Sequence, residues 1–376
     1  MSLSPAVLCF SNLDWTVLRY RKQHLMERLS ARMPIAYVNP PRAIKSRDLV
    51  RTRRWTHPLD NLAVFEPPVL PGVRTRPRLQ QLNYRLISAC LSRWRSRHNP
   101  VVLWLYSPHA LPFVELTRAD LVVYDVADLY ATPSGAHVCD AEKREIERLA
   151  RLEAELLPRA DVVLAVSEPL ADRLRQAAPD VHLVPNGADW PRYSQVRPRP
   201  QGAGRPRLGF VGTIAPRFDV ELVAGIARIR PDWDIELVGP VSTDVSALRA
   251  QANVRLVGEV PYRDVPRWIA SFDVCLLPLR EIDFAYFSSP IQVYDYLAAG
   301  RAVVSTPVAQ FERLPALVRT ARGVDAFVAA VAAALVEPAD LFAARRTFAR
   351  ANSWDARVAT IEGLLSTRLR ALTAAA

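Results

Sequence analysis

Cysteine is scarce and scattered: Cys9, Cys90, Cys139 and Cys275 fall in 376 residues with neither metal-ligand nor redox spacing. That excludes a zinc ribbon, a C-x-x-C redox centre and a disulfide-stapled scaffold, and three of the four lie in apolar surroundings, as unpaired thiols of a reducing compartment would. No apolar run reaches the ~18 residues of a membrane span. The longest plain one is Ala326 to Val336. The opening residues, Met1 to Pro5, lead straight into a strand without a basic segment ahead of an apolar one, so no secretory signal is expected. Neither the dinucleotide fingerprint G-x-G-x-x-G nor a P-loop occurs, which disfavours nicotinamide cofactors and ATP. Zinc-finger spacing is absent too, as is the interleaving of aromatic and basic residues found in single-strand binders, so nucleic acid is not an expected partner.

Acidic residues are outnumbered, 38 against 49 basic, and the net charge of +11 is unevenly placed. Between Pro41 and Asn99 thirteen Lys or Arg, from Arg42 to Arg97, face only Asp48, Asp60 and Glu66, a local excess of ten. A stretch so basic suits an anionic membrane surface or an acidic polymer; its plain alternative is a solvated basic face.

Half of the residues are hydrophobic, enough for two domains with a core each. The first half alternates strand and helix. Strands are expected at Ala6–Phe10, Pro34–Val38, Leu62–Phe65, Val101–Tyr106, Leu121–Tyr124, Val162–Val166 and His182–Val184, with helices at Val17–Ala31, Arg78–Arg97 and Asp140–Leu157. Ser167 should cap a further helix, and Pro185-Asn186-Gly187 reads as a turn. Pro191 to Pro206, rich in Pro and Gly, reads as a linker. The alternation then restarts with strands at Arg207–Val211, Ile235–Val238, Val254–Val257 and Asp273–Pro278, helices at Val220–Arg230 and Arg263–Ser271, and a last helix at Trp354–Leu372. Strands separated by helices imply parallel sheets with right-handed crossovers.

Two stretches carry chemistry. Ser289 as N-cap, Pro290 in the first turn and Gly300 just past the last bound a short helix, preceded by an irregular segment at Leu279–Phe287 and followed by a strand within Arg301–Pro307. Its start aims free N–H groups beyond the strands' carboxyl ends, where anions bind well. Gln292 and Asp295 share one face, fitting a nucleotide-sugar with phosphate at the helix start and a carboxylate one turn deeper for ribose hydroxyls. Ser289-x-x-Gln292 is equally a capping box. The second stretch, Gly209 to Asp219, has a glycine at a strand end that lets backbone approach a ligand, and Arg217 placed to clamp a pyrophosphate. Asp232-Trp233-Asp234 spells a metal-binding D-x-D but lies at the wrong end of its sheet, so no metal site is expected.

On these residues, together with Pro231 to Pro240, Asn253 to Trp268, Phe272 to Pro278, Ser289 to Pro307, Asp14-Trp15, Tyr124 to Asp128 and Pro185 to Asp189, the chain resembles bacterial GT-B glycosyltransferases. It is close to the family 4-like enzymes of teichuronic-acid and exopolysaccharide assembly. The resemblance implies an α/β fold of two Rossmann-like doubly wound domains facing a central cleft. Residues 1–190 would be the acceptor domain, 191–206 the linker, 207–353 the nucleotide-sugar domain, and 354–376 a helix crossing back to the first domain. It implies a metal-independent hexosyltransferase-type enzyme without cofactor, using a nucleotide-sugar donor, UDP-sugar favoured, and a glycan or polyprenyl-linked acceptor in cell-surface polysaccharide assembly. The place of action would be cytoplasmic, peripheral on the inner face of the membrane through Arg42–Arg97.

Carried onto this chain, Gly212, Thr213 and Arg217 lie near the diphosphate, Ser288 and Ser289 at the phosphates, Val260 near the base and Asp295 at the ribose. Two positions depart from the pattern. The first acid of the family's Glu-x7-Glu is Phe287 here, and Gln292 stands where relatives often have Lys, so the resemblance leaves retention and inversion both open. Inversion needs a general base. Asp128 is the first choice, with Asp125 beside it and His109 as the second candidate; each also has an ordinary structural role as loop cap or hydrogen-bonder. A sugar-nucleotide epimerase or hydrolase on the same scaffold is the alternative function, and a non-catalytic polyanion-binding protein the third.

Overall fold

The computed structural model describes residues 5–17, 19–41, 54–73, 76–129, 139–200, 202, 204–280 and 283–375. Of the basic stretch, Arg42, Lys45, Arg47, Arg51, Arg53 and Arg74 lie outside the described residues.

Eight strands form the first sheet: β1 (Ala6–Phe10), β2 (Ile35–Val38), β3 (Trp55–Leu59), β4 (Leu62–Phe65), β5 (Val101–Leu105), β6 (Leu121–Val126), β7 (Val162–Ala165) and β8 (Val181–Leu183). Their order is β3-β4-β2-β1-β5-β6-β7-β8, parallel except for the β3–β4 hairpin. The sequence does not announce β3, because Pro58 and a polar, exposed pattern argue against a strand; an antiparallel edge is where proline is tolerated. Apart from the short edge strand β8, which is half-buried to exposed, the other strands are buried on both faces, as parallel strands under helices must be. Leu8 and Phe10 face one core with Ile87 and Leu91 of the Pro77–Arg95 helix. Val7 and Cys9 face the other, with Leu25, Met26 and Leu29 of the Arg21–Ser30 helix.

The second sheet contains β9 (Arg207–Val211), β10 (Asp234–Val238), β11 (Val254–Gly258), β12 (Val274–Leu277), β13 (Ala302–Ser305) and β14 (Val318–Thr320), ordered β11-β10-β9-β12-β13-β14 with every pair parallel. Each sheet reverses direction at its first strand, β1 or β9, and the crevice at such a reversal is where doubly wound sheets bind ligands. The Trp354–Ala375 helix returns to the first sheet, where Val358, Ile361 and Leu365 join the Leu25–Leu29 core.

Three expectations need amending. The first helix begins at Arg21 rather than Val17, and its opening residues Arg21, Lys22, Gln23 and His24 are all buried. A short helix, Asp283–Phe287, interrupts the segment expected to be irregular. Ser289 does not cap the next helix: it runs Ile291–Ala298 with Pro290 at the N-cap and no side-chain cap bond, so the capping box does not form. The Ser289 hydroxyl instead accepts from the Asn186 N–H at 3.2 Å, and its carbonyl accepts from Asn186 Nδ2 at 2.5 Å. A long-range partner from the Pro185–Gly187 turn has displaced the local one.

Candidate active site

At the carboxyl ends of β9 and β10 two glycines meet. Gly212 (φ +150°) and Gly239 (φ +142°) pack so closely that a Cβ on Gly239 would stand 2.0 Å from the Gly212 carbonyl oxygen. A Cβ on Gly212 would stand 2.7 Å from Nε2 of Gln292, which brings the glycine turn against the first turn of the Ile291–Ala298 helix. Only glycine allows that approach at such a φ. The loop beyond is pinned: Ile214 N–H donates to Pro240 O at 2.9 Å, Arg280 N–H to Arg217 O at 2.8 Å, and Asp219 caps the next helix through Leu222 N–H at 2.9 Å. Thr213 and Arg217 are therefore partly exposed on a rigid turn facing a helix start.

One turn down that helix, Asp295 is buried, and its Oδ1 accepts from the Asp189 N–H at 3.3 Å. Burial first and the charge of Asp189 second push its pKa up to about 8. Val260 packs against the second core past the end of β11, beside Pro261 and Trp268. Ser288 and Ser289 sit ahead of the helix start, but their hydroxyls are engaged: Ser288 donates to Ala285 O at 2.9 Å, and Ser289 serves Asn186.

The three candidate bases in the first half part company. Asp125 is fully buried, and both of its carboxylate oxygens accept from Arg21 Nε, at 2.9 and 3.0 Å. Arg21 also donates to Pro185 O at 3.2 Å, so this pair fastens β6 to the Pro185–Gly187 turn and offers no face to the cleft. Asp128 is partly exposed just past β6. Burial raises its pKa, opposed by Lys22 of its own domain and by Arg217 from the second. Asp128 is thus within electrostatic reach of Arg217 on the turn expected to hold diphosphate. His109 stands elsewhere, past β5, with Nε2 at 2.9 Å from Glu145, on the rim of a cavity of about 620 Å³ in the first domain. Burial above all lowers its pKa, against the pull of Glu145. Asp232 pairs with Arg230 at 2.6 Å and Asp234 opens β10 at the amino end of its sheet, remote from the cleft.

Residues 205–338 match the family described as glycosyl transferases group 1. This part of the chain is a group 1 glycosyl transferase domain. Over 219 residues, 54% of the chain, it is 30% identical to the Bacillus subtilis protein named as a teichuronic acid biosynthesis glycosyltransferase; the match spans 55% of that relative's length. Among solved structures, sucrose-phosphate synthase from Thermosynechococcus elongatus superposes with a TM-score of 0.75 at 16% identity, over 99% of this chain and 100% of the other. Anabaena HepE in complex with UDP does so with a TM-score of 0.67 at 15% identity, over 97% and 100%. With two parallel sheets in the order described, the fold is GT-B.

Within the GT-B frame a polar cluster joins the domains beside Asp295. Asp189 accepts from Arg28 at 2.7 Å, Arg192 at 3.0 Å and the Tyr262 hydroxyl at 3.1 Å, while His24 Nε2 lies 3.3 Å from the same hydroxyl. Burial works to raise the Asp189 pKa, and His24, Arg28 and Arg192 outweigh it and hold it low. The His24 ring stacks on Trp354 at 4.9 Å, and burial pushes its pKa down to about 3. Lys22, buried near Asp128 and Asp125 with its amine 5.1 Å from the Tyr106 ring centroid, belongs to the same helix. Sequence reading placed Asp189 and Tyr262 in motifs without a role and gave none to the others. The available signal was four consecutive polar residues, Arg21 to His24, opening a helix that must pack on a sheet.

Proposed function

We propose that the chain is a glycosyltransferase that moves a sugar from a nucleotide-sugar, UDP-sugar favoured, to a lipid-linked or glycan acceptor of cell-surface polysaccharide assembly. The observation that carries this reading is the abutment of Gln292 on Gly212, with Asp295 buried one turn below. Diphosphate would lie between the glycine turn and the helix start, where Arg217 and free N–H groups oppose its charge. Ribose would stand over Asp295, and the base by the backbone at Val260. The UDP in the HepE complex supports a uridine donor.

Residues 1–190 would take the acceptor, 191–206 the linker role and 207–353 the donor. Asp128 is the residue we assign as general base for inversion: it would remove the acceptor hydroxyl's proton as that oxygen attacks the anomeric carbon and the diphosphate leaves. Burial raises the Asp128 pKa, strengthening it as a base, and Lys22 and Arg217 partly oppose that rise. Asp125 is not proposed, since Arg21 occupies it.

No single helix among the described residues is long and apolar enough to cross a membrane. The Pro77–Arg95 helix exposes Arg78, Arg85 and Arg93 beside Leu82 and Leu86 and carries no acid, which supports peripheral attachment to an anionic inner leaflet. A screen of UDP-, GDP- and ADP-sugars for protection against thermal unfolding tests the donor site. Protection by none of the three would overturn the reading. Sugar release without any acceptor at the rate of transfer would favour a hydrolase.

A further inference from the structure

The first domain holds a cavity of about 620 Å³ at the carboxyl ends of β2, β1 and β5, where its strand order reverses. That volume falls within the roughly 300 to 1,000 Å³ of small-molecule sites. Its walls are Phe10, Val38, Tyr84, Ile87 and Phe113. Phe10 stacks on Phe113 at 4.0 Å and Tyr84 meets Phe113 edge-on at 5.4 Å, so the wall is a fixed aromatic surface. Ser11, Asn39 and Ser107 also line it but are engaged within the protein, Ser11 with Leu13 O and the Tyr37 hydroxyl, Asn39 with the Trp15 N–H and Ser107 with the His109 N–H. His109 and Arg148 both face Glu145, at 2.9 and 3.7 Å, and Asn12 keeps a buried Oδ1 without a partner.

A sugar fits such a chamber poorly, because each hydroxyl buried without a partner carries an uncompensated desolvation penalty. A hydrocarbon fits it well, since every methylene buried against the aromatic wall is a favourable transfer out of water. We infer that this cavity seats a hydrocarbon segment, prenyl or acyl, carried by the acceptor, with the acceptor's polar end at the His109–Glu145–Arg148 margin. The inference rests on the glycosyltransferase reading for the word acceptor and on the cavity alone for the hydrocarbon. Position supports it: Ser107 and His109 of the cavity follow β5, and Asp128 follows the neighbouring parallel strand β6, so both lie at the same carboxyl edge of the first sheet. A chain seated in the cavity would therefore leave its linked sugar at the sheet edge that also carries Asp128.

The test uses the full chain without donor and three probes below their aggregation concentrations: citronellyl phosphate, decyl phosphate and inorganic phosphate, with binding measured calorimetrically. Both ten-carbon probes should bind at least tenfold tighter than phosphate. Binding of only the branched or only the straight probe would also support the cavity and identify the chain type. Ile87→Trp, which fills the chamber, and Tyr84→Asp, which charges its wall, should each weaken the hydrocarbon probes at least tenfold while the UDP-induced thermal shift persists. Hydrocarbon probes no tighter than phosphate, or unaffected by a variant that still responds to UDP, would overturn the inference and leave the donor reading standing. Hydrocarbon binding with no response to any nucleotide-sugar would do the reverse.

Discussion

Oδ1 of Asp295 accepts the backbone N–H of Asp189 at 3.3 Å, joining the expected ribose carboxylate to the segment where the chain leaves the first domain. The bond places one buried acid next to another, Asp189, and the two respond oppositely: Asp295 is raised to about 8, whereas Asp189 is held low by its cationic neighbours.

Asp295 should make stability fall as pH rises. Its folded pKa of about 8 exceeds the roughly 3.9 of an unfolded aspartate, so between those values the folded chain holds the extra proton, and raising the pH costs up to ~1.4 kcal/mol per unit. Asp295→Asn removes this dependence, and its melting temperature should overtake that of the wild type increasingly from pH 5 to pH 8. A constant difference across that range would contradict the raised pKa.

The same residue should matter for nucleotide binding. Asp295→Ala is expected to weaken UDP by about 1 to 3 kcal/mol, the scale of a lost charge-assisted hydrogen bond. Because the ionised carboxylate is the better acceptor for ribose hydroxyls, wild-type affinity should also rise toward pH 8. Unchanged affinity in the alanine variant would remove Asp295 from the ribose.

His24 predicts an acid limb. Its folded pKa of about 3 lies below the roughly 6.5 of an exposed histidine, so its contribution is whole above pH 6.5 and is lost as pH falls toward 3, at up to ~1.4 kcal/mol per unit. His24→Phe, which can retain the stacking on Trp354, should flatten the melting temperature between pH 6.5 and 4.5. An equally steep decline in the variant would place the acid sensitivity elsewhere.

Asp128→Asn should lower turnover by roughly 10² to 10⁴ while the UDP-induced thermal shift stays intact, since a base acts only in the transition state. Near wild-type turnover, or a product with retained anomeric configuration, would exclude the role.

Replacing Arg78, Arg85 and Arg93 by Glu should abolish salt-sensitive sedimentation with anionic vesicles, each arginine near such a surface being worth about 1 kcal/mol. Equal sedimentation of wild type with neutral and anionic vesicles would leave the helix a solvated face.

Most of the strand framework was legible because parallel strands read as short apolar runs; Ala6–Phe10 and Arg207–Val211 coincide with the expected bounds. β3 and β14 were not: Trp55–Leu59 is polar and contains proline, and Val318–Thr320 is only three residues long. At the site, spacing put Gln292 and Asp295 on one helix face, and the family resemblance, rather than spacing, added Gly212 to them. What spacing cannot reveal is which polar residues the fold has already committed. Asp125 and Asp128 are three apart and look alike as letters, yet Arg21, 104 positions away from Asp125, engages one and not the other. The Ser289-x-x-Gln292 capping box fails for the same reason, through Asn186, 103 positions away.

The return of the Trp354–Ala375 helix has a mechanical consequence. The backbone passes between the domains twice, and the passages run side by side: Ala188 N–H donates to Asn352 O at 3.0 Å, Trp354 N–H donates to Ala188 O at 3.0 Å, and Gly187 lies so close that a Cβ there would stand 2.9 Å from Trp354 N. Two tethers fastened together act as the pin of a hinge, permitting rotation about their common line and resisting twist or separation. Asp189 is the next residue along one tether and its N–H is held by Asp295, so any swing of the lobes about that pin is passed directly to the carboxylate expected to hold the donor's ribose.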